Sequence, residues 1–452
     1  MGRESDILIV GGGPAGVVAA FTAKKYYPQK KITVIKNVRN GVIPCGIPYM
    51  ISDLKSPEDN KLNYSGLEKL GVEIITAEVV KLDRVSKKVI TKSGDSFRYE
   101  KLVLAIGSRP VFPPISGIDL KNVFSIYKDL DYLNSMVGKI KESKNILIIG
   151  GGFIGIEFAD EISNLCEKNV YIVEVLPHLL SNSFDPEFSE LAEVRLGEKG
   201  VEVITNVRVE RLEGENEVKR AYLSNGKVLD VDAVILGVGA VPNTELAVSA
   251  GLSLGKGKGI WVDEYMRTED PDIFAVGDCA GKRDFFTRKD APVLLASIAT
   301  AEARIAGANL YQLKVVRENK GTIAIFSTYI SGLVLGSAGL TENSAKKEGF
   351  EVIVGKYEGV DKHPGELPDT HKIRVKLVFS RQSGILMGGQ VAGGISCGEI
   401  INIIGVAIQK RVSLTELETL QMATHPHLTP APTTYHLVMA AQDALLNYGL
   451  CR

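Results

Sequence analysis

No two of the five cysteines in this 452-residue chain stand close together. Cys45, Cys166, Cys279, Cys397 and Cys451 show neither C-x-x-C nor C-x4-C spacing. That argues against a disulfide framework and against zinc, whose ligands come in close pairs, so no metal site is expected. Long apolar runs are missing as well: none reaches the roughly 18 residues that cross a bilayer. Net charge is scarce, with 53 Lys and Arg against 54 Asp and Glu, so no bulk field draws the chain to nucleic acid or an anionic membrane. The opening "MGRESDILIV" has no signal-peptide h-region or cleavage site, and a cytoplasmic location is expected. Gly2 approximates a myristoylation pattern, but the basic residue at position 3 and the direct entry into a strand weigh against it. The six histidines do not cluster, apart from His425 and His427. No low-complexity linker interrupts the chain, which predicts closely docked domains.

What is present is a duplication. The chain is too long for one hydrophobic core, so two or three domains are expected. "DILIVGGGPAGVVAAFTAKKY" from Asp6 and "NILIIGGGFIGIEFADEISNL" from Asn145 share one pattern: a short apolar run, three glycines, then helical periodicity. Each leads to a second strand, "ITVIK" ending at Lys36 and "VYIVE" ending at Glu174. The result is two βαβ units about 140 residues apart. Gly11, Gly13 and Gly16, with Pro14 and Ala15 between them, fit G-x-G-x-x-G; so do Gly150, Gly152 and Gly155, with Phe153 and Ile154. That spacing gives a tight turn, close backbone approach to a pyrophosphate, and a helix N-terminus whose free N–H groups favour phosphate. Glu174, nineteen residues after Gly155, can accept from ribose hydroxyls and would repel a 2′-phosphate, which favours NAD over NADP. Lys36 holds the matching place in the first unit, where an ammonium cannot accept. It either points to solvent or helps bind a phosphate.

Further strands end in glycine: "KLVLAIGSRP" (101–110), "DAVILGVGAVPN" (232–243) and "DIFAVGDCA" (272–280). From about Gly321 the texture changes to antiparallel hairpins, "GTIAIFSTYISGLVLGSAG" and "HKIRVKLVFSRQSGILMGGQVAG". Two helices, "GEIINIIGVAIQKRV" and "APTTYHLVMAAQDALLNY", are expected to pack on them. The predicted fold is α/β: two Rossmann-like, doubly wound dinucleotide-binding domains plus a C-terminal α+β domain. Residues 1–115 and 244–320 form the first domain, 116–243 the second and 321–452 the third.

Cys45 stands alone in "NGVIPCGIPYM". Two dinucleotide sites suit electron transfer from a nicotinamide to a flavin, and a lone cysteine can take the electrons onward as a sulfenic acid or mixed disulfide. If a helix begins just after Cys45, its N-terminus favours the reactive thiolate. Over its whole length the chain resembles the pyridine nucleotide-disulfide oxidoreductases, in the branch of NADH oxidase, NADH peroxidase and coenzyme A-disulfide reductase. "CGIPY" (45–49) is similar to the family's C-G-[LI]-P-Y around its redox cysteine. "LAIGSRP" resembles a flavin loop, bringing in Ala105, Gly107 and Arg109. "IFAVGDCA" resembles the second flavin motif, with Gly277 and the ribityl-binding aspartate at Asp278. "IGIEFA" places Glu157 at the acidic position of the NAD helix, and "GVGAVPNTEL" places Gly239 in the loop after that domain.

The resemblance implies FAD, NAD and a homodimer built by the C-terminal domain. Three features depart from it: Lys36 at the usual acidic position, Pro44 in place of an asparagine, and "ATHPHLTPAP" (423–432) where the branch has tyrosines. The last stretch is similar to the H-P-T-x-x-E end of dihydrolipoamide dehydrogenases and glutathione reductases. His425 falls on its catalytic histidine, which implies proton transfer at the partner subunit's thiol, while Pro430 replaces the glutamate. Expected acceptors are a disulfide, persulfide or polysulfide, with oxygen or peroxide as the alternative. A ferredoxin-reductase-like enzyme that does not need the thiol, and a non-catalytic redox sensor or scaffold, remain as other readings. The basic set Lys24, Lys25, Lys30, Lys31, Lys36 and Arg39 reads as a solvated helix face or a phosphate-recognition surface.

Overall fold

A computed structural model describes residues 3–291, 293–318 and 320–450. Strand β1 (Arg3–Val10) is followed by helix α1 (Pro14–Tyr26) and strand β2 (Ile32–Lys36). Strands β3 (Glu73–Thr76), β4 (Val79–Asp83), β5 (Lys88–Thr91) and β6 (Ser96–Leu104) complete a sheet of order β3-β2-β1-β6-β5-β4. A strand at Ile273–Ala275 adds to it, parallel to β6. The apolar run of β1 has a physical reason: alternate residues enter different cores. Ile7 and Ile9 pack with α1 and the helix Ala296–Ala308, whereas Leu8 and Val10 pack with Leu252 and Ile260 on the other face.

The second unit repeats the plan. Strands β7 (Val123–Ser125), β8 (Asn145–Ile149), β9 (Asn169–Val173), β10 (Glu202–Ile204) and β11 (Ala233–Leu236) form a wholly parallel sheet of order β10-β9-β8-β11-β7. Helix α2 (Phe153–Ser163) follows β8, and α3 (Pro186–Glu198) precedes β10.

The C-terminal sheet is antiparallel throughout: β12 (Ile325–Ile330), β13 (Leu333–Gly339), β14 (Val352–Val360), β15 (Lys372–Ser380) and β16 (Leu386–Gly393), in the order β12-β13-β16-β15-β14. Helix α4 (Cys397–Gln409) and helix α5 (His436–Leu450) cover it. Gly355 makes the close approach of α5 possible, because a Cβ there would lie 1.8 Å from the Ala440 carbonyl oxygen. The last helix begins at His436, later than the sequence pattern suggested, because Ala431 stays extended before Pro432 and only a single 3-10 turn follows.

The second unit and the C-terminal part are joined by polar contacts. Asp185, just before α3, is fully buried and accepts from Lys376 on β15, Gln390 on β16 and the N–H groups of Glu342 and Asn343. Among the described residues no helix is long and apolar enough to cross a membrane.

Candidate active site

The two glycine loops are near copies in three dimensions. In the first, Gly11 lies at φ +115°, and a Cβ there would sit 2.0 Å from the Ala105 carbonyl oxygen; a Cβ on Gly16 would sit 1.9 Å from that of Gly11. In the second, Gly150 has φ +107° and a Cβ on Gly155 would lie 2.0 Å from the Gly150 carbonyl oxygen. The middle glycines behave differently: Gly13 and Gly152 have nothing within 4 Å of the missing Cβ. The outer glycines therefore let strand and helix touch, and the middle ones leave open space. Into that space the first turns of α1 and α2 direct N–H groups with no intrahelical acceptor. Pro14 opens α1 at a position where a missing N–H costs nothing, with Ala15 buried behind it; Phe153 and Ile154 open α2. Both loops thus fit a dinucleotide pyrophosphate. Gly155→Ala should weaken nucleotide binding at the second loop by about 1–3 kcal/mol, roughly fivefold to 150-fold in affinity; a nucleotide titration of the purified protein measures it.

Glu174 is 9% exposed and closes the second loop: Gly151 N–H donates to Oε2 at 2.6 Å and Leu176 N–H to Oε1 at 2.8 Å. Its remaining lone pairs leave it able to accept further bonds. Lys36 behaves otherwise. It does not point to solvent: it is 7% exposed, and Nζ donates to the carbonyls of Val38 (2.8 Å) and Arg39 (2.7 Å). Burial, then the nearby Lys61 and Arg39, lower its proton affinity. Its stem packs beside Gly12, and its charge sits 5.2 Å from the Tyr64 ring centre, while the Tyr64 hydroxyl donates to the Gly12 carbonyl. The other basic residues are largely occupied. Lys30 pairs with Glu100 and Asp6, Lys31 lies 3.9 Å from Glu73, and Lys24 donates to Pro28 and Lys30 carbonyls. This favours the solvated-face reading.

The flavin-like loops meet around Asp278. Ala105 is buried beside the first glycine loop. Gly107 (φ +68°) and Gly239 (φ +94°) each face open space, and the strand pair Ser108–Pro110 and Ala240–Pro242 brings their loops together. Ser108 Oγ donates to Asp278 Oδ2 at 2.7 Å, and Lys128 Nζ lies 3.5 Å from the same oxygen. Gly277 (φ +76°) donates its N–H to Glu302, itself buried and paired with Lys282 at 3.5 Å. Arg109 pairs with Glu245 at the surface.

Cys45 is exposed on a short turn. The expected helix behind it does not form. Pro44 and Pro48 each open a single 3-10 turn, Pro44–Gly46 and Pro48–Met50, so no α-helix begins behind the sulfur. The thiol is instead pushed up: partial burial acts first and the Glu157 charge second, with Lys128 opposing. Asn60, buried and donating to the Ile43 carbonyl, pins the turn, since a Cβ on Gly46 would strike its Oδ1. Glu157, one turn into α2, accepts from Thr328 Oγ1 at 2.9 Å, and burial lifts its proton affinity to about 7. Cys279 and Cys397 are buried and shifted by burial to about 11 and about 12, as inert core thiols are. Cys451 lies outside the described residues. His425 is exposed and bonded within its own turn, to Thr429 and His427. Lys128, Ser108, Tyr64 and Thr328 were not singled out from the sequence. Only Ser108 lies inside a recognisable motif, and the rest carry no local signal.

The family described as pyridine nucleotide-disulphide oxidoreductase matches residues 5–303, and its dimerisation domain matches residues 325–436. An NADH oxidase of Methanocaldococcus jannaschii is 31% identical over 456 residues, covering 97% of this chain and 98% of the relative. An NAD(P)H coenzyme A polysulfide/persulfide reductase of Pyrococcus horikoshii is 31% identical over 399 residues, 86% of this chain and 88% of that one. Among solved structures, an NAD-dependent persulfide reductase from A. fulgidus superposes with a TM-score of 0.91 at 29% identity, over 98% of this chain and 84% of that one. A water-forming NADH oxidase from Lactobacillus brevis bound to NADH gives 0.90 at 25% identity, over 99% of both.

Proposed function

The chain belongs to the pyridine nucleotide-disulphide oxidoreductase family, and from that premise we propose that its electrons leave through the single thiol of Cys45. It is an NADH-dependent oxidoreductase that uses FAD and NAD. One observation carries the thiol reading: the Cys45 segment is bonded to the helix of the second glycine loop, Ser52 Oγ donating to Glu161 at 2.6 Å. The charges that bear on Cys45, from Glu157 on that helix and from Asp278 and Lys128 beside the flavin-like loops, support a sulfur between the two units.

FAD would be held by Gly11–Gly16, the Gly107 loop and Asp278, and NADH by Gly150–Gly155, Glu157 and Glu174. Bound flavin supplies two-electron transfer from the nicotinamide. At Cys45 the thiolate would attack a disulfide, breaking its S–S bond and releasing one half as a thiolate, or attack a peroxide, breaking its O–O bond and releasing hydroxide; two electrons and one proton would then return the thiolate with release of the second substrate thiol or of water. The preferred acceptor is a sulfur–sulfur bond, such as coenzyme A disulfide, a persulfide or a polysulfide, in keeping with the names of two relatives. Oxygen or peroxide is the second reading, favoured by the relatives named NADH oxidase. We assign the homodimer to the C-terminal domain. Its helix α4 exposes Ile403 and Val406, with Ile395 80% exposed just before it. There His425 would reach the partner subunit's thiol as its proton donor.

The test is an anaerobic NADH titration of the purified yellow protein, followed by an acceptor screen with coenzyme A disulfide, polysulfide, lipoyl disulfide, peroxide and oxygen. Fast flavin bleaching with reoxidation by a sulfur acceptor is the expected result. Fastest reoxidation by oxygen would favour the second reading. Slow bleaching with no turnover on any acceptor would point instead to a redox sensor or scaffold.

A further inference from the structure

Helix α2 is gripped from two sides. On one side the Cys45 segment holds it: Ser52 Oγ and the N–H groups of Ser52 and Asp53 all donate to Glu161. On the other, strand β12 of the C-terminal domain meets it at three successive places. Phe326 stacks on Phe153 with ring centres 4.9 Å apart and planes at 17°. Thr328, 5% exposed, donates to Glu157, and Ser331 N–H donates to Asp160 at 3.0 Å. Phe326 and Thr328, alternate residues of the strand, and Ser331 in the turn that follows it thus match residues about one helical turn apart. Glu157 lies one helical turn before Glu161, on the face of α2 that the Cys45 segment meets, and its charge disfavours the Cys45 thiolate.

We propose that Thr328 is a positioning residue for the Cys45 thiol, acting through Glu157: the C-terminal domain holds a carboxylate charge where the sulfur senses it, and so sets how readily Cys45 reacts at neutral pH. The inference rests on reading Cys45 as the redox thiol. The groups facing this seam are Glu157, Lys128 and Asp278 toward Cys45, Glu161 toward Glu157, and Asp53 and Asp160 toward Tyr49. The sign follows from the bond. A hydroxyl donating to a carboxylate favours its ionised form. Removing it makes Glu157 more often neutral near pH 7, which relieves the repulsion that disfavours the thiolate.

The readout is alkylation of Cys45 by iodoacetamide in the purified protein, followed peptide by peptide by mass spectrometry from pH 6 to 9.5. In Thr328→Val, alkylation should run about two- to threefold faster at pH 7 and converge on the wild-type rate near pH 9, where Glu157 is ionised in both. Thr328→Ser should restore the wild-type profile. Glu157→Gln should stay faster at high pH as well. A parallel or absent change in Thr328→Val, with Glu157→Gln behaving as stated, overturns the role of Thr328. An unchanged Glu157→Gln profile overturns the link to the thiol altogether. Neither outcome depends on turnover, so the redox role of Cys45 stands or falls separately.

Discussion

Cys45→Ser loses turnover with sulfur acceptors by at least about 10³-fold, the scale on which removal of a covalent nucleophile is felt, while NADH still bleaches the flavin at close to the wild-type rate. The split follows from the geometry. Both glycine loops, Glu174 and Asp278 are built without the thiol, so hydride delivery survives. Serine keeps the volume and the turn set by Pro44 and Asn60 but cannot form a sulfenic acid or mixed disulfide. Stopped-flow absorbance measures both halves in one protein. A wild-type turnover rate with every acceptor in the screen would sink the single-thiol mechanism and leave a ferredoxin-reductase-like enzyme in its place.

The largest expected effect on stability lies far from the sulfur. Lys376 is 3% exposed in its side chain and lies 2.8 Å from oxygens of Asp185, Glu187 and Glu342, with Asp185 itself fully buried. Lys376→Met would leave the fully buried Asp185 carboxylate without its cation, beside the part-exposed carboxylates of Glu187 and Glu342. The cost expected for an orphaned buried charge is about 3–5 kcal/mol. Adding Asp185→Asn should give a double variant less damaged than the sum of the singles, because the two residues share one interaction. Urea midpoints compare the three, and an unchanged midpoint in Lys376→Met would show that the cluster contributes nothing. The pH dependence has a definite sign. Burial would raise Glu187, but bonds from Lys376 and Lys356 outweigh it and hold the carboxyl at about 2. A carboxyl depressed in the folded state adds stability above its unfolded value and loses it as pH falls through the folded one. Acid unfolding should therefore develop between about pH 4.5 and pH 2, and less steeply in Lys376→Met.

The two nucleotide units were legible in the sequence for a local reason. A strand buried on both faces must be apolar at every position, and the outer glycines must sit where a Cβ would strike backbone, so both signals lie within a dozen or so residues. The antiparallel C-terminal sheet was legible from its turns. What escaped was set at long range or by competing local chemistry. Pro44 and Pro48 promise a helix start but deliver only 3-10 turns, which reverses the expected effect on the Cys45 thiol. Lys36 looked like a free cation because its acceptors are main-chain carbonyls, which a sequence does not display. The pairing of Glu157 with Thr328 spans 171 positions and matches no motif. The role proposed for His425 rests on a second subunit, which one chain's sequence does not describe.

The two-sided grip on α2 also bears on how such a protein can be rebuilt. A nucleotide-binding unit is often treated as a cassette to be exchanged for another cofactor preference. Here the helix of the second glycine loop carries Glu161 for the thiol segment, and Phe153, Glu157 and Asp160 for the C-terminal strand and the turn after it. A transplanted cassette would arrive with both seams unmatched. Exchange of cofactor preference is therefore better sought in the loop after Glu174, where Val175 is 64% exposed and Leu176 joins the protein through its backbone.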